Sequence, residues 1–454
     1  MSNGNGPCWS NTLDLRTYRD LSIGSTQNHW IWYNKGLRLI PSRAARRRTP
    51  PTFAESRNLA AAMLQLRPQK FAPFLARHPW VLAKSLVPPE PAPEPGAVVE
   101  VAGPNGKFMA RGIYNEQSHV RVRLYTWRES EQLDEVFWRT RLQHAIRLRQ
   151  TIGYCSGDSA ARLVFSEADG LSGLIVDRYG DWLVVQVAAL AIHQRLELIL
   201  RLLVELLPVK GIVVRTDAKI AQAEGLPVRD ELAWGEPPPG DMVVYEHGLK
   251  YAIDLIGGQK TGLYLDQREN RRVAAGYMAG QRVLDVCCYV GGFSLAAARL
   301  GQAAEVVGID ASAKAVEQAR RNAAANGITN ATFQEGECFS TLEQLRDQQQ
   351  RFGAIVLDPP RFANSRQAID QALRAYFRLN RLAVDLLEPG GILVTCSCSG
   401  RVSREEFLDM LTGVSQKSGR DLQLLEARGP APDHPVRLSC PETDYLKCMI
   451  LRAT

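Results

Sequence analysis

The chain has 454 residues, 45% hydrophobic and 23% charged, with a net charge of +7. That length exceeds a single core and predicts two or three domains of a soluble globular protein. No apolar run is long enough to cross a bilayer, and the polar, Gly/Asn-rich start shows no signal-peptide pattern. The nine cysteines are odd in number and lack Cys-x-x-Cys or zinc-type spacing. They predict free thiols, a cytoplasmic location, no bound metal and no membrane association.

The charge is unevenly placed. Residues 1–65 hold nine Lys/Arg against three Asp/Glu, and residues 66–150 hold thirteen against eight. A basic front half suits an anionic partner; a solvated surface with a disordered tail is the plainer reading. Residues 1–62 carry the run Arg43-Ala-Ala-Arg46-Arg47-Arg48-Thr49-Pro50-Pro51 without periodicity, and read as a basic, disordered extension.

From Leu64 the pattern changes. Arg77-His78-Pro79-Trp80 leads into short strands at 97–101, 108–114 and 120–125, split by turn residues, which predict a small β-barrel over 63–145. Arg111, Arg121 and Arg123 lie on these strands near Tyr114 and Tyr125. That mixture suits RNA, although ordinary alternation on a half-exposed strand is the reading the pattern favours. A helix over 133–150 precedes a central α/β domain, 146–240. Its strands fall at 163–165, 173–176, 182–187 and 212–214, with a helix at 192–207. Gly235-Glu-Pro-Pro-Pro-Gly240 is the clearest linker.

The remaining residues, 241–454, begin with a hairpin at 243–255. A polar, glycine-rich loop from Gly257 to Asn270 follows, of the kind that walls a ligand site. Strands and helices then alternate, as in a doubly wound sheet. Val283–Val286 runs into Cys287-Cys288-Tyr289-Val290-Gly291-Gly292, a glycine turn that opens a helix. The next strand ends in Asp310, placed to accept from two ribose hydroxyls. The third leads to Glu337, where an adenine amino group would fall. Phe352–Leu357 stops at Asp358-Pro359-Pro360, and Ile392–Thr395 runs into Cys396-Ser397-Cys398-Ser399-Gly400. Between them lies a helix from about Arg366 to Leu387, which Glu388-Pro-Gly-Gly391 is read as stopping. Ligands bind at the carboxyl ends of such strands. Four strand ends carrying Asp285/Gly291, Asp310, Glu337 and Asp358 point to an adenosine-containing cofactor.

These motifs resemble those of class I S-adenosylmethionine-dependent methyltransferases. More narrowly, Leu64 onward is similar to the bacterial 23S ribosomal RNA large-subunit (cytosine-5)-methyltransferases with an N-terminal PUA domain. The resemblance rests on Arg77–Trp80, Gly258–Arg268, Tyr289–Phe293, Asp358–Phe362, Ser397–Gly400 and Asp433-His-Pro435. It implies an RNA-binding PUA barrel, a central domain and a C-terminal Rossmann-like catalytic domain. It implies S-adenosyl-L-methionine as cofactor, held by Asp285, Tyr289, Gly291, Gly292, Asp310, Glu337 and Asp358. It assigns Cys398 as nucleophile with Asp358 beside it, and Arg268 and Phe362 to the substrate. Ribosomal RNA is the implied partner, with a homodimer left open. Val290, Glu337, Cys396 and Arg378 depart from the usual family residues.

The chemistry suits these residues. Carbon 5 of cytosine is too poor a nucleophile to take a methyl group until a thiolate adds at carbon 6. That calls for a cysteine of lowered pKa, and for an acid at the N3/N4 edge. The competing readings are a methyltransferase acting on a ring or exocyclic nitrogen, an RNA-binding assembly factor, and a nicotinamide dehydrogenase. The incomplete glycine pattern disfavours the last.

Overall fold

The structure is a computed structural model and describes residues 62–154, 159–240, 242–255, 263–362 and 368–454. The basic stretch up to residue 61 and the Gly257–Gly262 part of the glycine-rich loop lie outside the described residues.

The first unit is a five-stranded sheet of Ala62–Gln65, Trp80–Leu82, Val98–Ala102, Phe108–Tyr114 and Val120–Thr126. Leu66 bridges Leu86 just past the second strand, bringing the two edges of the sheet together around Leu64, Val81, Val101 and Val122. Two strands escaped the sequence reading, each too short to show alternation. The strand Ala62–Gln65 pairs in parallel with Val98–Ala102, so Ala62, read as part of the extension, belongs to the sheet. Of the three arginines read against RNA, two are buried. Arg111 pairs with Glu100 at 2.5 Å. Arg123 pairs with Glu167 at 3.3 Å and Glu224 at 2.8 Å, both in the central domain. Tyr114 and Tyr125 are buried too. These strands therefore face the core and a domain contact.

Helix Glu135–Thr151, capped by Asp134, spans the expected boundary at 145. Its buried face, Phe137, Trp138, Leu142 and Ile146, belongs to the core of the central sheet. That sheet holds Ala160–Phe165, Leu174–Tyr179, Trp182–Val187, Gly211–Thr216 and Arg229–Gly235. The single helix expected at 192–207 is two pieces, Leu190–His193 and Leu196–Leu206. Hairpin Met242–Glu246/Leu249–Ile253 comes next.

The third unit is a seven-stranded sheet, labelled here β1 Arg282–Val286, β2 Glu305–Asp310, β3 Ala331–Glu335, β4 Phe352–Leu357, β5 Leu387–Ser397, β6 Leu422–Arg428 and β7 Lys447–Ala453. Its spatial order is β3-β2-β1-β4-β5-β7-β6, with β7 antiparallel to both neighbours. Its helices are α1 Arg268–Ala275, α2 Gly292–Arg299, α3 Ala313–Ala325, α4 Cys338–Asp347, α5 Ile369–Leu386 and α6 Arg404–Ser418. Every residue of β4 is buried, as an apolar strand covered on both faces requires. Truncating Ile355 there to alanine should cost roughly 2–5 kcal/mol. Glu388-Pro-Gly-Gly391 follows the end of α5 at Leu386, as expected of a stop signal, but it lies inside β5 rather than in a turn before it. The register with β4 shifts between Phe352 and Ala354, and Gly390 takes φ +80°, so the turn residues make a bulge.

Reversal of strand order at β1/β4 opens a crevice above their carboxyl ends, where ligands bind in such sheets. Both the expected acids and the expected cysteine stand on this edge.

Candidate active site

The cofactor half is built by β1, β2 and the turn before α2. Buried Asp285 accepts at Oδ2 from the Ser294 backbone N–H at 2.9 Å and from the Ser294 hydroxyl at 2.6 Å. Its Oδ1 is buried without a partner among the described residues. Burial pushes this carboxyl up to about 6, with Ser294 opposing. Asp310 accepts from the Tyr289 N–H at one oxygen and the Ser312 N–H at the other, each at 2.9 Å. Each of its oxygens keeps a lone pair for a further donor. Cys287, Tyr289 and Gly291 have φ of +63°, +50° and +86°. Two non-glycine residues in the left-handed region store on the order of 1–3 kcal/mol each, held by these hydrogen bonds. Gly292 then starts α2, whose first N–H groups face the crevice edge.

Glu337 differs from expectation. The strand β3 ends at Glu335, and Glu337 is the N-cap of α4, accepting from the Ser340 N–H at 2.9 Å. Against partial burial, these backbone hydrogen bonds hold its carboxyl below the ordinary range.

The reaction half lies across β4, β5 and β7. Asp358 leaves β4 and accepts from Gln267 Nε2 at 3.0 Å. Burial, and then the Asp266 carboxylate, push it up to about 7. Asp266 is itself held by the Tyr445 hydroxyl. Cys398 lies just past the end of β5 and is half-buried. Arg361 Nε donates to its carbonyl at 3.2 Å. Tyr376 is buried and shares a hydrogen bond with the Ser399 hydroxyl at 3.2 Å. Phe362 packs edge-on against the Tyr376 ring at 4.8 Å, so it borders the same hollow. Cys396 sits opposite Cys448 inside the β5–β7 ladder and is fully buried. Burial and the neighbouring thiol hold it well above an ordinary thiol pKa.

Arg268 turns elsewhere. It is buried, donates to the Ala160 carbonyl, lies 3.7 Å from Glu246 and covers the Tyr154 ring at 4.6 Å. These contacts tie α1 to the central domain and the hairpin. Lys447, Tyr445, Gln267 and Asp266 carry much of the pocket's polarity without having been singled out. Asp266 and Gln267 lie in the loop flagged as a ligand wall. Lys447 and Tyr445 sit next to β7 with no local motif to mark them.

One further group of potential ligands, His78, Cys440 and Glu442, joins the barrel to the C-terminal segment. The Trp80 N–H donates to His78 Nδ1 at 3.2 Å, which leaves the ring proton on Nε2, pointing at Glu442 at 3.2 Å. A metal would need that nitrogen bare, so the hydrogen bonds describe a domain contact.

Comparison with known proteins agrees with this architecture. A PUA-like domain model matches residues 64–127, and an S-adenosylmethionine-dependent methyltransferase model matches 229–436. Ribosomal RNA large subunit methyltransferase I of Tolumonas auensis is 39% identical over 383 residues, covering 84% of this chain and 96% of the relative. Its counterpart in Shewanella amazonensis is 36% identical over 391 residues, covering 86% and 98%. The chain belongs to the ribosomal RNA large subunit methyltransferase I family. Among solved structures, an S-adenosylmethionine-dependent methyltransferase from Streptococcus mutans superposes with a TM-score of 0.74 at 18% identity, covering 86% of this chain and all of the other. A methyltransferase complexed with SAH gives 0.75 at 18% identity, over 87% and all of the other. These two likenesses show the fold.

Membership makes S-adenosyl-L-methionine the cofactor of this chain, and the residues present fit it. The orphaned Oδ1 of Asp285 is a buried acceptor awaiting a donor, which an ammonium group supplies. The Asp310 carboxylate is oriented by two backbone N–H groups with lone pairs to spare. Among the described residues, no helix is long and apolar enough to cross a membrane.

Proposed function

We propose that this enzyme methylates carbon 5 of a cytosine in large-subunit ribosomal RNA through a covalent adduct of Cys398 with carbon 6. The observation that carries the reading is the contrast between two cysteines two residues apart. Cys396 is sealed in the sheet, whereas Cys398 is half-exposed at the strand end neighbouring Asp358. S-adenosylmethionine supplies an electrophilic methyl group when bound, beside Asp285 and Asp310.

The chain's own residues do the rest. The Cys398 thiolate forms a bond to carbon 6, and the π electrons move toward N3. Asp358, with its carboxyl pushed up to about 7, is protonated often enough at neutral pH to give N3 a proton. Carbon 5 is thereby enamine-like and nucleophilic. After methylation the carbon-5 proton leaves to water. The carbon–sulfur pair then returns to sulfur, and N3 hands its proton back to Asp358. Phe362 and Tyr376 supply an aromatic wall for the base. The barrel supports RNA binding by analogy with the PUA-like model it matches. We give Arg268 a supporting role, since its protein partners occupy it.

RNA carrying 5-fluorocytosine at the target tests this. Fluorine blocks the loss from carbon 5, so wild type should trap a covalent complex, Cys396→Ala should too, and Cys398→Ala should not. A methyl group on a ring or exocyclic nitrogen, found by mass mapping of the product, would refute the carbon-5 assignment.

A further inference from the structure

Lys447 opens β7 directly across from Ser397, the last residue of β5. Its side chain is buried, at 1% exposure. Nζ donates to the carbonyls of Ser399 at 2.6 Å and Tyr445 at 2.9 Å. Two of its three hydrogens are used. Among the described residues the third has no acceptor, and no carboxylate lies within ion-pair distance of Nζ. Among the described residues the other large, fully buried cation differs: Arg149 has Asp169 at 2.6 Å.

A buried ammonium with no counter-charge is expensive, and a negative charge formed nearby would offset that cost. Burial drives Lys447 down to about 8, and Cys398 is the largest influence opposing that fall. The link is also covalent, because the carbonyl gripping Nζ belongs to Ser399, the next residue after the thiol. We propose that the Lys447 ammonium is the counter-ion of the Cys398 thiolate. It pairs with the sulfur that attacks carbon 6, and pairs with it again on expulsion. This rests on the cytosine reading above.

The other groups facing the pair agree with a negative sulfur. Tyr376 on α5 is a phenol kept protonated, chiefly by burial, so it adds no charge. Asp358 on β4 opposes a thiolate while ionised, and its raised pKa reduces that opposition. Around Lys447 lie Asp444, Arg404 and Arg361, one negative and two positive, and Arg361 also donates to the Cys398 carbonyl. The thiol proton leaves to solvent through the half-exposed face of Cys398, and the sulfur lone pair becomes the carbon–sulfur bond.

Iodoacetamide labelling of Cys398 in the full-length enzyme, read peptide by peptide across pH, tests the pair. The wild-type midpoint should lie below that of a free thiol, about 8.5. Lys447→Met should raise it by about one unit or more, which is roughly tenfold slower labelling at neutral pH. Lys447→Arg should restore it. Melting curves and cofactor affinity should stay near wild type in both, separating this from a structural role. A wild-type midpoint at or above 8.5, or a midpoint unmoved by Lys447→Met, overturns the proposal. If Lys447→Met does not fold, the wild-type and Lys447→Arg midpoints decide. A wild type that labels early but never traps 5-fluorocytosine would sink the cytosine reading and leave the ion pair standing.

Discussion

The two halves of the crevice are made in opposite ways. On the cofactor side the carboxylates are wired to backbone: Asp310 takes two N–H groups and Asp285 takes Ser294 twice over. On the reaction side, charges are left short of partners. Asp358 leans on Asp266, and Lys447 faces only carbonyls. A binding site gains from satisfied, rigid donors and acceptors, since every one left loose costs affinity. A reacting site gains from groups whose charge is poised to change, and proteins give up stability for that. The crevice therefore divides into a part fixed mainly by backbone N–H groups and Ser294, with Asp285 Oδ1 left open to a donor, and a part whose charges have few partners.

The sharpest way to break this contrast is at the thiol. Cys398→Ala should abolish methyl transfer while leaving the cofactor dissociation constant near wild type, checked by calorimetry. A large loss of cofactor affinity would mean that the two halves are not separate. Next comes Asp358→Asn, expected to slow transfer by roughly 10²–10⁴-fold. It should also stabilise the protein in a pH-dependent way. The carboxyl goes from 3.8 to about 7 on folding. Between those values the folded chain keeps a proton that the unfolded chain has lost, so stability falls as pH rises through that window. The asparagine variant should melt higher than wild type at pH 8 and alike at pH 4. Equal melting at both would show that Asp358 is not poised.

On the holding side, Asp310→Ala should weaken cofactor binding by about 30–150-fold, the loss of charge-assisted hydrogen bonds worth on the order of 2–3 kcal/mol. An unchanged dissociation constant would remove Asp310 from the cofactor site. Cys396→Ala should cost about 1 kcal/mol of stability through lost packing and leave activity within about twofold. Smallest of all should be removal of residues 1–61. The truncated chain keeps the strand Ala62–Gln65, so it should fold and methylate, with modest loss of RNA affinity only at low salt. Loss of soluble protein would show that the extension belongs to the fold.

The same contrast explains what could be read from sequence. Asp285, Gly291, Asp310 and Asp358 follow apolar strands at or just past their carboxyl ends, so periodicity and position mark them together. The sheet follows from the same alternation. The reaction side draws Gln267 from before α1, Cys398 from after β5 and Lys447 from β7, 180 residues apart along the chain at the extremes. Lys447 reads as an ordinary charge next to an apolar strand, because only the antiparallel register with Ser397 brings it to the strand end that leads into Cys398. Arg123 failed in the other direction. A basic residue among aromatics left RNA contact open beside the favoured reading of a half-exposed strand, yet it is buried, and Glu167 and Glu224, supplied from the next domain, neutralise it. Glu388-Pro-Gly-Gly391 did mark the end of α5, but the bulge it makes inside β5 was not legible, because glycine and proline serve bulges as readily as turns.

The placement of β7 has a consequence for how the molecule is assembled. This strand follows β6 in the chain but lies between β5 and β6 in the sheet. Until Lys447–Ala453 has left the ribosome, β5 has an open edge and β6 has no partner in this sheet. The exposed ladder of β5 ends at the loop of Cys398, the proposed nucleophile, so an unfinished chain is both prone to stick and without Lys447. Long-range pairing of this kind is slow to nucleate. Pulse-labelled hydrogen exchange during refolding should show the outer amides of β5 and those of β6 gaining protection together with β7, after β1 and β4. Early protection of β6 alone would mean that the sheet's far edge forms by another route.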